Sequence, residues 1–363
     1  MPMLCRWAVG TGVVWARVFD PGGTRIVWAR VSDPGRDGSK TRPHTEFTQM
    51  NPLASIFGLG VRTRNALYDR GILPTKKLEG PVISVGNLSV GGSGKTPFVL
   101  LLGDLLKARG VKFDILSRGY GRQTRGVMLV DPGGSARDFG DEPVLMARRL
   151  GVPVVVGEDR YQAGQFAEGK FGPQLHLLDD GFQHRALARD FDIVLATPED
   201  ARDRLLPAGR LRETPMSLRR ADAVVLTSGA SPDSFPLQGK LVWRVRRGIL
   251  PNKVPANPVV FCGIARPQNF LLQLRTAGIE PVAEALFGDH HAYTEQDIRD
   301  LLKLRQESEA GGFVTTEKDA INLGGYLSAL EPLAVVPVKM DLVDSANAVD
   351  TMLRVVKGRR LRT

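Results

Sequence analysis

Residues 81–97, PVISVGNLSVGGSGKTP, constrain this chain more than any other stretch: a short apolar run breaks into glycines and ends in Gly94-Lys95-Thr96. The spacing predicts a strand, a tight glycine-rich loop and a helix start in direct succession. A loop of that kind lets consecutive backbone N–H groups face an anion, and the helix N-terminus adds its partial positive charge. Ser89, Val90, Gly91, Gly92, Ser93 and Gly94 then form a cradle for nucleotide phosphates. Lys95 neutralises the terminal phosphates, and the Thr96 hydroxyl is placed to ligate magnesium. The usual pattern has glycine where this chain has Ser89, so the flanks carry the identification. Ile83 and Val85 alternate with smaller residues before the loop, and residues 98–105 supply the apolar face of a helix. A chance Gly-Lys-Thr in a glycine-rich turn is the bland alternative, and that flanking pattern argues against it.

A chain of 363 residues has room for two domains with separate cores. No run approaches the twenty or so apolar residues that a membrane span needs. Cys5 and Cys262 stand far apart without metal spacing, which argues for a reducing compartment and against a disulfide framework or a zinc site. The net charge of +10 suits an acidic partner: nucleic acid, an anionic bilayer or a phosphorylated substrate. No aromatic-interleaved basic strand or recognition-helix pattern favours nucleic acid, and none is expected as a partner.

Residues 1–49 do not match the rest. They hold three of the four tryptophans and a near-duplicate, residues 14–18 (VWARV) and 27–31 (VWARV), each followed by Asp-Pro-Gly. This segment is expected to be an atypical extension, poorly ordered or the product of a mis-assigned start with Met50 as the true one. Residues 50–71 carry a helical pattern, with Leu53, Ile56, Phe57, Gly60, Val61 and Leu67 close to one stripe. Such a helix either packs on its own domain or lies on a membrane with arginines reaching headgroups. Short apolar strands then alternate with helices, as a parallel sheet covered on both faces requires. The fold class that follows is α/β: a P-loop NTPase-like parallel sheet with helices on both faces over residues 72–230, plus a second, smaller α/β domain over 231–363. The boundary is set by the Ser-, Pro- and Gly-rich stretch 228–238.

Leu175 to Asp180 is an apolar strand ending in two carboxylates, the form that completes a phosphate-loop site by holding the magnesium shell. Gly181-Phe182-Gln183-His184-Arg185 follows, dense in donors. Asp141 and Glu142 stand at the head of a helix; they can serve as a plain cap, or supply the carboxylate a kinase needs at the attacking hydroxyl. Ser117 to Arg122 follows a strand, and there Arg118 and Arg122 can grip phosphate while Tyr120 can bond or stack on a sugar; Leu206 to Glu213 is another basic loop with an embedded acid, and a solvated turn is the bland alternative for each. Asp289-His290-His291 lies in the second domain. No third ligand has metal spacing, so a histidine that tunes a carboxylate is the better reading. Residues 315–319, TTEKD, end a later strand and suit a helix cap.

The order of these motifs resembles the tetraacyldisaccharide 4'-kinase family, the lipid A kinases of Gram-negative bacteria. The matching pieces are NALYDRG (65–71), the loop at 81–97, SRGYGR, GDEP, DDGFQHR, LLPAGRLRE, DHHAYT and TTEKDA, from about residue 50 to near the C-terminus. The family's own loop has Ser or Thr where the common pattern has Gly, so Ser89 is no departure; residues 1–49 have no family counterpart. The resemblance implies ATP and Mg2+ as cofactors and transfer of phosphate to the 4'-hydroxyl of tetraacyldisaccharide 1-phosphate, giving lipid IVA. It implies a peripheral or monotopic enzyme, expected to be monomeric, on the anionic cytoplasmic face of the inner membrane. Carried over by motif, Lys95 and Thr96 bind phosphates and metal, with Asp179 and Asp180 supporting the metal and Glu142 serving metal or nucleotide. Asp141 is implied as the base, paired with His290 from the second domain, an arrangement that predicts closure on ATP. Arg118, Tyr120, Gln183, His184, Arg212 and Glu213 are implied as γ-phosphate or substrate contacts.

A nucleotide-switched binding protein is the rival from another class. The guanine-reading Asn-Lys-x-Asp is absent, and Val90 stands where partition-type ATPases carry a second lysine. A membrane-tethered scaffold with a degenerate loop is a third reading.

Overall fold

The computed structural model describes residues 15–19, 26–30, 52–172 and 175–362. The two Val-Trp-Ala-Arg-Val copies supply β1 (Trp15–Phe19) and β2 (Ile26–Arg30), which pair antiparallel with Trp15 opposite Arg30. The expectation about the rest of that extension lies outside the described residues. Helix α1 (Pro52–Asp69) follows, then β3 (Val82–Asn87), α2 (Lys95–Lys107) and β4 (Asp114–Ser117). Next come β5 (Met128–Leu129), the short α3 (Ala136–Phe139), α4 (Asp141–Leu150), β6 (Val154–Val156) and α5 (Arg160–Phe171). Strands β7 (His176–Asp179), β8 (Phe191–Ala196), β9 (Ala223–Leu226) and β10 (Leu241–Ile249) extend the sheet.

The second α/β set comprises β11 (Val259–Cys262), α6 (Pro267–Thr276), β12 (Ala283–Leu286), α7 (Glu295–Glu307), β13 (Phe313–Thr316), α8 (Glu317–Leu323) and β14 (Leu333–Val336). The chain then returns through β15 (Val338–Leu342) to α9 (Ser345–Arg360).

Two compact units result, Met50–Arg247 with Lys339–Thr363, and Met1–Gln49 with Gly248–Val338. The boundary expected after residue 230 therefore falls inside the larger unit. The physical reason is β10: it pairs in parallel with β9 from Leu241 opposite Ala223, so the Ser/Pro/Gly stretch is only a connection within one sheet. The last residues rejoin that unit because β15 lies beside β10.

The large sheet has the order β15-β10-β9-β8-β3-β7-β4-β6-β5. Strands β10 through β6 in that order run parallel, and β5 turns antiparallel against β6. Every residue of β3, β4, β6, β7, β8 and β9 is buried, as a sheet covered on both faces demands. β3 lies where the strand order reverses, with β4 and β6 out on one side and β8 to β10 on the other. Ligands bind at that point, outside the carboxyl ends of the strands.

At the amino ends a buried network ties the sheet to its surroundings. His176 Nδ1 lies 2.9 Å from Asp114 Oδ1, its Nε2 lies 3.1 Å from Glu168 Oε1, and Glu168 also accepts from Gly80 N at 2.7 Å. Burial opposes a charge on the imidazole, but the two carboxylates outweigh it and raise the His176 pKa above 6.5. The bridge therefore stabilises the fold fully below about pH 6.5, and the contribution is lost as pH rises through the folded-state value. His176→Ala leaves two acids facing each other in the interior and is expected to cost about 3–5 kcal/mol. Urea denaturation checks this, and a loss under about 1 kcal/mol would mean that the imidazole bridge carries little.

The smaller unit holds a four-stranded parallel sheet, β12-β11-β13-β14. Phe261 meets Tyr293 and Phe313 edge to face, with ring centroids 5.7 and 5.9 Å apart. Val260, Leu271 and Leu274 sit in a second buried cluster.

Candidate active site

The cradle is built by backbone conformation. Gly91, Gly92 and Gly94 have φ of 72, 62 and 88°, the left-handed region that a side chain disfavours, which is why the loop needs glycine at those points. Gly94 caps α2 with no side-chain bond, so the first-turn N–H groups stay available for an anion. Thr96 is buried in that first turn. Ser89 Oγ and Ser93 Oγ are buried with no hydrogen-bond partner among the described residues. Val90 departs from its expected role: its N–H is donated to Arg210 O at 2.9 Å, so this amide belongs to the loop's scaffolding.

At the carboxyl edge, Lys95 Nζ donates to Asn87 Oδ1 at 3.0 Å and lies 3.5 Å from Asp180 Oδ1. The Arg212 guanidinium grips both Asp180 oxygens at 2.8 Å and also bonds Asn87 Oδ1. Burial works against the Asp180 charge, but Lys95 and Arg212 outweigh it and hold its pKa far below the usual carboxylate range. Asp179, only 3% exposed, is the opposite case. Its burial, then the neighbouring Glu142 and Asp180 charges, push its pKa up to about 7. Asp179 Oδ2 accepts from Ser117 Oγ at 3.0 Å, while Oδ1 is buried and has no partner.

A carboxylate oxygen left unpartnered beside two further acids is a position that a divalent cation would satisfy. Among the described residues no group of three or more His, Cys, Asp or Glu forms a ready-made cage. That fits magnesium, which is held by one or two carboxylates and completed by substrate phosphates and water. Without metal, the protonated form of Asp179 favours folding. The contribution is complete below its unfolded value near 3.8 and is lost as pH rises through about 7. Asp179→Asn is therefore expected to melt above the parent at pH 8 in metal-free buffer, with the gap closing toward pH 5. A gap that does not grow with pH would contradict the assignment.

The other motifs converge on the same edge. A Cβ on Gly140 would stand 2.9 Å from Tyr120 O, and one on Gly119 2.9 Å from Phe139 O, so the SRGYGR and GDEP loops touch through glycines. α4 begins at Asp141, with Gly140 as cap, so Asp141 and Glu142 belong to its first turn. Asp141 is 4% exposed, and its Oδ1 accepts from Glu142 N at 2.8 Å. Arg118 and Tyr120 are exposed. Gln183 Nε2 donates to Asn87 O at 3.0 Å. His184 is pushed down to about 4, by burial first and then by the Arg160 charge, so its imidazole is neutral.

Two of the expected residues do other work. Arg122 is 2% exposed and its guanidinium is held by Glu158 and Gly126 O, both at 2.7 Å, which fixes the loop that presents Arg118. Glu213 is buried, accepting from Asn65 Nδ2 of α1 at 2.7 Å and from Arg220 at 3.0 Å; it joins the helix to the site's floor.

Arg160 was not expected. It starts α5 buried, donates to Glu158 O at 2.7 Å, and keeps a buried Nε without a partner. Burial and the Arg118 charge lower its pKa, while Asp180, Asp179 and Asp159 oppose that, which places it in the same electrostatic cluster. Paired guanidiniums beside a phosphate loop suit an anion. The available signal was its position one residue past the end of a strand-to-helix turn, at the same sheet edge.

In the smaller unit, His291 Nε2 lies 3.1 Å from Asp297 Oδ2, and its ring stacks on Phe287 at 4.6 Å. That imidazole is committed to its own domain. His290 has φ of 57° and lies 3.7 Å from Asp289. Thr316 caps α8, accepting from Asp319 N, and the buried Asp319 accepts from Gly263 N at 2.7 Å and Tyr293 OH at 2.8 Å. In the larger unit, an open cavity of about 740 Å³ is lined by Pro198, Asp203, Arg210, Gly229 and Phe235 among others, and holds none of the expected site residues.

Comparison with known proteins places the chain in a family. The family model described as Tetraacyldisaccharide-1-P 4'-kinase matches residues 47–357. The Tetraacyldisaccharide 4'-kinase of Koribacter versatilis is 51% identical over 86% of this chain and all of its own length. That of Geobacter metallireducens is 39% identical over 80% of this chain and 93% of its own. The solved structure of LpxK from Aquifex aeolicus in complex with ATP superposes with a TM-score of 0.69 at 38% identity, covering 84% of this chain and 98% of that one. The chain belongs to the tetraacyldisaccharide 4'-kinase family.

Proposed function

We propose that this chain transfers the γ-phosphate of ATP to the 4'-hydroxyl of tetraacyldisaccharide 1-phosphate, using the carboxyl edge around β3 as its centre. One observation carries the reading: a buried carboxylate with an unpartnered oxygen, Asp179, stands beside the Lys95, Asp180 and Arg212 cluster at the mouth of the glycine loop. Phosphoryl transfer needs alignment and charge neutralisation more than covalent help from the protein. The loop amides and Lys95 bind and orient the phosphates. Asp179, Thr96 and Glu142 would hold Mg2+, which supplies charge neutralisation between the phosphate oxygens when bound. Arg212, Arg118 and Arg160 surround the transferred group, and Asp141 accepts or orients the proton of the attacking hydroxyl. His290 is assigned as the group that supports Asp141 in catalysis.

The acceptor is a glycolipid, and α1 is the surface that would meet its bilayer. Leu53, Ile56 and Leu59 are 61, 66 and 63% exposed, while Phe57, Gly58 and Val61 face the protein. The expected single stripe is thus two: one packs, the other remains open. No helix among the described residues is long and apolar enough to cross a membrane. On the exposed apolar face of α1 we assign a peripheral or monotopic enzyme, monomeric, on the anionic cytoplasmic face of the inner membrane.

Labelled ATP with tetraacyldisaccharide 1-phosphate in detergent micelles and in anionic vesicles tests both parts. Label in the 4'-phosphorylated product is expected in either medium. Leu53→Ser with Ile56→Ser should lower the vesicle rate alone. No labelled lipid would overturn the kinase reading, and an unchanged vesicle rate would overturn the membrane role of α1.

A further inference from the structure

We infer that Asp203, outside the phosphate cradle and absent from the motifs above, is a positioning residue that sets Arg212 and the entry of the phosphate loop. Asp203 Oδ1 accepts from Arg204 N at 2.8 Å and Arg210 N at 3.3 Å, and Oδ2 accepts from Arg210 Nε at 3.0 Å. One carboxylate therefore closes the loop from 203 to 210 on itself. Gly209 shows how tight that closure is, since a Cβ there would lie 2.4 Å from both Arg204 O and Asp203 Oδ1. Burial pushes the Asp203 pKa up, but those N–H donors outweigh it and hold the group ionised.

The closed loop is bonded directly to the cradle's root. Leu211 bridges antiparallel to Ser89 and parallel to Leu205. Val90 N donates to Arg210 O at 2.9 Å, and Arg212 N donates to Leu88 O at 2.7 Å. Those two bonds straddle the point where β3 turns into glycines. They also fix the backbone from which the Arg212 guanidinium reaches Asp180 and Asn87. Asp203 touches neither phosphate nor acceptor on this geometry; it acts through the loop. Positioning of this kind matters in phosphoryl transfer, because a displacement of about 1 Å can cost about 100-fold in rate.

The inference rests on the reading of Arg212 as a phosphate contact, and the test separates the two. Asp203→Asn keeps size and removes the charge that holds Arg210; it is expected to lower kcat about 10- to 100-fold with KM for ATP changed less than about threefold. Asp203→Glu, which restores the carboxylate, should recover most of that loss. In an Arg212→Lys background, Asp203→Asn should cost less than about threefold more, since both changes disable one device. Additive losses, or a fall in Tm with kcat intact, would overturn the inference. Arg210→Lys breaks the same contact more gently and is scored identically if Asp203→Asn does not fold. Full turnover in Arg212→Lys alone would instead remove the reading of Arg212.

Discussion

Lys95→Ala is expected to leave a folded protein whose turnover falls about 1000-fold or more, because a single cation at a transferring phosphoryl group is worth that much in a water-poor site. Two effects add. The ammonium disappears from the phosphate cradle, and it also stops lowering the pKa of Asp179, so that carboxyl holds its proton more strongly at the position proposed for magnesium. Asp180 keeps the bidentate Arg212 contact, so the fold keeps its local pairing. Steady-state assays with binding of a fluorescent ATP analogue read both parts. Turnover within tenfold of the parent would remove phosphate capture by this loop as the basis of the activity.

Asp141→Asn is the second large effect. The amide still accepts from Glu142 N, so the start of α4 is preserved while the proposed proton acceptor is lost. A positioned general base contributes about 100- to 10,000-fold, so kcat should fall in that range while affinity for ATP changes less than about threefold. His290→Ala should also lose turnover with little change in ATP affinity, and the double variant should be no slower than the worse single one. Equal losses in turnover and ATP affinity for Asp141→Asn would argue against its role.

The parts of this fold that could be read from the sequence share one property: local periodicity agrees with final burial. β3, β7, β8 and β9 are short apolar runs because both faces are covered, so each is legible from its own residues. β10 escaped because it alternates, with Trp243 and Val245 buried and Arg244 and Arg246 exposed, and it follows a loop whose composition resembles a linker. α1 was recognised as amphipathic, but its apolar residues serve two surfaces, and a single stripe cannot express that.

Within the site, motifs named the right loops without always naming the atoms at work. Asp179 and Asp180 are adjacent acids in sequence, yet one is held far below and the other raised to about 7. Burial and the nearby Glu142 and Asp180 charges raise Asp179, whereas Lys95 and Arg212, brought in from other segments, outweigh burial at Asp180. Arg122 and Glu213 carry residue types that suit phosphate or metal work and are instead consumed by Glu158, Asn65 and Arg220. Arg160 gains its charged neighbours through long-range packing, and Asp203 gains its partners through the closure of its own loop onto Arg204 and Arg210; no apolar periodicity records either.

Strands β11 to β14 of the smaller unit are inserted in the chain between β10 and β15, neighbouring strands of the larger sheet. The edge strand β15 and the helix α9 after it, whose Arg359 clasps Asp222 and whose Arg360 clasps Asp190, are therefore synthesised only after β11 to β14. It follows that the large sheet gains one of its edges late in synthesis, through pairing between strands that are far apart in the chain, the kind of contact that forms slowly.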